Sequence, residues 1–120
     1  MNKMMEKLNN LLLIDKIKKL LQVVSEEEDY NENSLLKSLN TLINFMVITE
    51  ESYIPMSLTV VNNLFYLDYV DNNINLTIKF LIDDKVNYVV NNIHTLYKYE
   101  VGTSSIEELI NMLNKIREEK

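Results

Sequence analysis

Between residues 57 and 101 apolar and polar positions alternate in short runs, and Asn/Asp doublets interrupt them about every ten residues: Asn62-Asn63, Asn72-Asn73, Asp83-Asp84 and Asn91-Asn92. A two-residue hairpin loop needs positive φ at its central positions. In a chain with one glycine, Asn and Asp are the residues that adopt it at least cost. The pattern therefore predicts an antiparallel meander. Two-residue turns on the first three doublets place Val60 opposite Phe65, Leu67 opposite Ile78, Tyr69 opposite Leu76 and Ile78 opposite Val89. One face then gathers Leu58, Val60, Phe65, Leu67, Tyr69, Leu76, Ile78, Phe80 and Val89 and reads as the core side. The other gathers Thr59, Tyr66, Lys79 and Tyr88 in one cross-strand row and Ser57, Asp68, Thr77 and Val90 in the next, with Val61, Leu64, Leu81 and Val86 beyond them. A fifth strand over 95–101 fits less well, because its register turns His94 and Lys98 toward the apolar side.

Helical periodicity brackets the meander. A first helix is predicted over 2–24, but its stripe changes side. Met4, Met5, Leu8, Leu11 and Leu12 cluster on one face, whereas Leu13, Ile14, Ile17, Leu20, Leu21 and Val24 cluster roughly opposite. Either the helix breaks near Leu12 or is buried all round, or one face serves the core and the other, through Met4, Met5, Leu8 and Leu12, serves a second copy in a homodimer. Leu35, Leu36, Leu39, Leu42, Ile43, Met46 and Val47 form one broad stripe, which predicts a second helix over 33–47 capped by Asn33 or Ser34. Gly102 allows a sharp turn, Ser104 and Glu107 have capping-box spacing, and Ile106, Leu109, Ile110, Leu113 and Ile116 share a face, so a last helix is predicted over 104–119. The fold class is α+β in a single domain: a helical part over 1–48, a four- to five-stranded meander over 55–101 and a C-terminal helix.

Composition narrows the function. At 120 residues and 14.2 kDa the chain suits one domain with its own core, and the absence of cysteine excludes a disulfide framework. No apolar run reaches the ~18 residues of a membrane span and no signal-peptide pattern opens the chain, so a soluble cytoplasmic protein without a membrane partner is expected. The net charge of −6 argues against direct binding of nucleic acid, which requires cations to neutralise phosphates. Glu26, Glu27, Glu28 and Asp29 concentrate negative charge just after a lysine-bearing first helix. That run is either a solvated loop or a patch that imitates a row of phosphates.

Catalytic constellations are sparse. His94 is the one histidine, so neither a Cys/His pair nor a zinc site of usual type can be assembled. Asp83-Asp84 and the neighbours Asp68 and Asp71 suit turns better than a hard-cation or acid–base site. Gly102-Thr103-Ser104-Ser105 suits a helix cap better than a phosphate cradle. No enzyme, cofactor or metal is expected. The stronger lead is the tyrosine-bearing outer face, Tyr66, Lys79 and Tyr88 with Val61, Leu64 and Leu81. This face is either covered by a helix or is an interface for a protein partner.

The stretch 53–90 resembles a pattern in small prokaryotic and phage proteins: a helix, a proline, a turn, a strand reading Leu-Glu-Trp, an alternating strand and a further hairpin. Here the matching residues are Pro55, Asn62-Asn63, Leu67-Asp68-Tyr69, the strand 74–82 and the strand 85–90, with Asp68 and Tyr69 in place of Glu and Trp. In size and acidity the chain is also similar to phage-encoded inhibitors of host defence, including anti-CRISPR proteins. The resemblance implies a small accessory protein from a mobile-element or defence-related setting, without an assigned activity. The outer sheet face and the acidic run lead to the function expected here, a non-catalytic protein-binding module that acts as an inhibitor by surface occlusion. Its alternatives are an acidic nucleic-acid mimic, a structural homo-oligomer and a small-ligand enzyme.

Overall fold

The computed structural model describes residues 3–50, 52–53, 55, 57–72, 74–92 and 99–118, with side chains for 13–50, 52–53, 55, 57–72, 74–91 and 100–116. The elements run α1 Lys3–Val24, α2 Glu32–Ile48, β1 Ser57–Val61, β2 Leu64–Val70, β3 Ile74–Phe80, β4 Lys85–Asn92, β5 Tyr99–Ser105 and α3 Ile106–Glu118. The strands form one antiparallel sheet in the order β1-β2-β3-β4-β5, so the predicted α+β order is the observed one. Among the described residues, no helix is long and apolar enough to cross a membrane.

The doublets do much of the turning. Asn62 and Asn63 have φ of 52° and 63°, and Asp83 and Asp84 have 56° and 58°, as tight hairpins require. The Asp71–Ile74 hairpin closes through Asp71 N–H to the Ile74 carbonyl (3.0 Å), with the Asp71 carboxylate accepting from Ile74 N–H (2.9 Å); Asn73 lies outside the described residues. The fourth doublet is not a turn, because β4 runs through Asn91 and Asn92. β5 correspondingly occupies Tyr99–Ser105 rather than 95–101, and His94 and Lys98 lie outside the described residues.

The first two hairpins have the predicted register: Val60 faces Phe65, Leu67 faces Ile78 and Tyr69 faces Leu76. The third does not. Leu81 N–H donates to the Lys85 carbonyl (2.9 Å) while Lys85 N–H donates to the Ile82 carbonyl (3.2 Å), so Leu81 and Ile82 together oppose Lys85. This β-bulge moves the pairing by one residue: Ile78 faces Tyr88, and Val89 faces Thr77. Every side chain of β4 therefore changes face. Val86 and Val90 are buried, Tyr88 packs against the core, and Val89 is exposed.

The helical boundaries also sharpen. Asn31, not Asn33 or Ser34, caps α2, its Oδ1 accepting from Ser34 N–H (3.1 Å). Ser105, not Ser104, caps α3: its Oγ accepts from Glu108 N–H (3.2 Å) and donates to the Glu108 carboxylate (3.3 Å). Gly102 lies within β5, which passes directly into α3. α1 is one continuous helix with no break near Leu12; the side chains of Met4, Met5, Leu8 and Leu12 lie outside those described.

The core has two layers. α1 lies against β1, α2 against β2 and β3, and α3 against β4 and β5. The buried sheet residues Leu58, Phe65, Leu67, Ile74, Leu76, Ile78, Phe80, Val86 and Val90 share one face, and Leu35, Leu42, Phe45, Leu109 and Leu113 meet them from α2 and α3. Phe45 stacks between Phe80 and Tyr53 (centroids 5.7 and 5.8 Å), and Tyr53 meets Tyr69 edge-on at 5.0 Å.

One polar group sits inside this apolar layer. Past the Tyr66–Lys79 pair the register brings Phe65 opposite Phe80, and there the buried Ser38 hydroxyl accepts from Phe65 N–H (2.8 Å) and donates to the Phe80 carbonyl (2.6 Å). It occupies the place of a ladder bond. Ser38→Ala leaves a buried donor and a buried acceptor without their partner and is expected to lower stability by about 1–3 kcal/mol, read by urea unfolding. An unchanged midpoint would show that the strands re-pair without it.

Candidate functional site

Since the described helices pack on one side, the other side of the sheet is open. Its central cross-strand row is Thr59, Tyr66, Lys79, Asn87 and Thr103, and the next is Ser57, Asp68, Thr77, Val89 and Val101. Alternation puts Val61, Leu64 and Leu81 on the same side, toward the Asn62-Asn63 and Asp83-Asp84 turns. All of these are half-buried or exposed.

The row is ordered by its own side chains. Lys79 Nζ lies 5.7 Å from the Tyr66 ring centroid, a cation–π contact between directly opposed residues worth about 0.5–1 kcal/mol at an exposed site. Thr77 donates to Asp68 (2.7 Å) and Thr103 to Asn87 (2.6 Å), so β2 is tied to β3 twice and β4 to β5 once across this face. Toward β5 the face becomes apolar. Val89 and Val101 are directly opposed and 45% and 63% exposed.

Of the expected sheet-face residues, Tyr66, Lys79, Val61, Leu64 and Leu81 are on the outer side and Tyr88 is not. The bulge turns Tyr88 inward, where its ring lies over Gly102: a Cβ built on Gly102 would come 2.9 Å from the Tyr88 hydroxyl. Asn87 takes its place in the outer row. The Val89–Val101 pair was not expected. Its signal lies in residues 85–91, where Val86, Tyr88 and Val90 alternate with Lys85, Asn87 and Asn91 and mark the even positions as the buried set.

The acidic run ends at the β1–β2 turn of the sheet. Glu26, Glu27, Glu28 and Asp29 are exposed and form no ion pair among the described residues, where the one salt bridge joins Lys19 to Asp15 (3.0 Å). Asn63, in the β1–β2 turn, donates from Nδ2 to the Asp29 carbonyl (2.9 Å) and accepts at Oδ1 from Asn31 N–H (2.9 Å). One amide thus ties the end of the acidic loop to the turn that flanks Val61 and Leu64. Of the other carboxylates considered for chemistry, three have structural partners. Asp68 accepts from Thr77, Asp71 from the Tyr69 hydroxyl (2.7 Å), and Asp84 from Asn44 (2.7 Å). Among the described residues no three His, Asp or Glu side chains group as metal ligands.

The inward position of Tyr88 gives a direct test. Gly102→Ala crowds the ring and is expected to cost about 1 kcal/mol. In a Tyr88→Leu background the same change is expected to be neutral or stabilising, as alanine ordinarily is over glycine in a strand. Additive effects in that double-mutant cycle would place Tyr88 elsewhere. Compared with protein-family models, with curated proteins and with solved structures, the chain finds no match.

Proposed function

We propose that this protein is a non-catalytic binding module that uses the open face of its sheet to cover a surface of a protein partner. The observation that supports this reading is the continuity of that face. A cation–π pair, Tyr66 and Lys79, stands at the middle, flanked by Val61, Leu64 and Leu81 at one end and by Val89 and Val101 toward β5. Tyrosine with exposed aliphatic residues on a rigid sheet suits the centre of a protein interface, where aromatic anchors carry most of the binding energy. A five-stranded antiparallel sheet loses little conformational freedom on docking, which favours affinity.

The acidic run gives the partner a sign. Exposed carboxylates speed encounter with a basic surface and orient it, and they contribute more to association rate than to final affinity. Occlusion of a basic, nucleic-acid-handling protein by an acidic accessory protein of a mobile element is the setting we propose, on the strength of size, acidity and this arrangement of surfaces.

Photo-crosslinking from single sites tests the surface. A crosslinking residue at Thr77, on the outer face, is expected to capture partner from host lysate, whereas one at Leu36, exposed on α2, is not. Tyr66→Ala is expected to weaken the captured complex by more than ~1 kcal/mol. Replacing residues 26–29 with their amides is expected to slow association and flatten its salt dependence. Capture from Leu36 alone, with Tyr66→Ala silent, would remove the sheet face from consideration.

A further inference from the structure

β5 is the last strand of the sheet. It pairs with β4 from Lys85–Ser105 to Asn91–Tyr99, and among the described residues no strand lies on its other side. The bond from Ile106 N–H to the Asp84 carbonyl (3.0 Å) continues the β4–β5 ladder and fixes its phase. Backbone groups of Glu100, Gly102 and Ser104 point toward β4, and those of Tyr99, Val101, Thr103 and Ser105 point away. Open edges are ordinarily blunted by proline, lysine, a bulge or a covering element. β1, the opposite edge, is five residues long and has Pro55 ahead of it, and a helix lies against each edge strand, α1 on β1 and α3 on β5. β5 is seven residues long, holds neither proline nor lysine, pairs without a bulge, and carries a 63% exposed Val101 near its centre.

We infer that β5 is a self-association edge: two copies pair β5 with β5 antiparallel about a twofold axis at Gly102, continuing one sheet across both. The strand is self-complementary in that register. Val101 of each copy opposes Thr103 of the other and Tyr99 opposes Ser105, so every outward-facing residue meets another one. A shift of two residues leaves Tyr99 or Ser105 over. Glu100 opposes Ser104, which keeps the strand's only carboxylate away from its own copy. Gly102 meets Gly102 at a position where backbones come closest and no side chain intervenes. On the outer face the two Val101 side chains become diagonal neighbours with a Val89 behind each, so the most exposed apolar pair of the sheet lies at the middle of the dimer.

A strand from another protein would use the same backbone groups. The twofold pattern of side chains, with carboxylate set against hydroxyl and valine beside valine, favours a second copy. This inference is independent of the proposed function, because the outer face stays open in such a dimer and doubles in length. A single strand edge is a small interface, so the dimer is expected to dissociate on dilution through the micromolar range.

The test is the solution mass of the full chain by light scattering and sedimentation over about 5 to 500 μM. Wild type is expected to pass from monomer to dimer across that range. Thr103→Pro removes an N–H that points away from β4, a position where an edge strand tolerates proline, and is expected to stay monomeric with its circular dichroism unchanged. Val101→Lys, which sets two cations side by side at the axis, is expected to weaken the dimer at least about tenfold, with partial recovery in high salt; it decides the matter if the proline variant misfolds. Leu8→Lys, on the apolar side of α1 that also suits a dimer, is expected to leave the mass unchanged. A wild type that is monomeric throughout, or a dimer that survives Val101→Lys and is broken by Leu8→Lys, overturns the inference.

Discussion

The Ser38 hydroxyl holds together two things that would otherwise compete, the β2–β3 ladder and the packing of α2 against it. By accepting from Phe65 N–H and donating to the Phe80 carbonyl, it satisfies two buried backbone groups with a group that belongs to the helix. The helix thereby acquires a fixed azimuth and a fixed position along the strands. Leu35, Leu42 and Phe45 then fall on the inner face, and Phe45 reaches both Phe80 and Tyr53. The cost of leaving a buried amide unpaired makes the position specific as well as stabilising.

The same end of the sheet collects its other polar ties. Asn63 binds the β1–β2 turn to the entry of α2, Asn44 binds α2 to Asp84 in the β3–β4 turn, and Asp84 accepts from the first N–H of α3. With the two hairpin turns at this end fastened to a helix or its cap, the described helices all lie on one side, and the opposite face has its cross-strand pairs to order it. A two-layer fold of this kind has a built-in asymmetry: one face of the sheet packs on the core, and the other is available as a pre-ordered surface that ends at the β5 edge.

The meander was readable from the chain because its signals are local. Asn62-Asn63 and Asp83-Asp84 take positive φ for steric reasons that depend on little beyond the residues themselves, and the alternation in β1, β2 and β3 names the buried face without help. The fourth doublet failed because Asn91 and Asn92 carry the same local signal yet sit in a strand held on one side by β3. The capping positions moved by one to three residues because Asn, Ser and Glu recur closely there, and the choice among them falls to whichever side chain meets a free N–H.

The outer surface was half readable. Tyr66, Lys79, Val61, Leu64 and Leu81 follow from the alternation of β1 to β3, whereas Tyr88 does not, since a bulge at Leu81-Ile82 changes the phase of everything after it. Residue type and spacing determined that this chain makes helices at both ends of an antiparallel meander, and which residues of its first three strands are apolar on one side. Tertiary structure decided that the helices share one face, that the acidic run ends against the β1–β2 turn, and that β4 is turned by one residue. These depend on contacts between residues far apart in sequence, such as Ser38 with Phe65 and Phe80 or Asn63 with Asp29, whose energies are settled only when the elements meet.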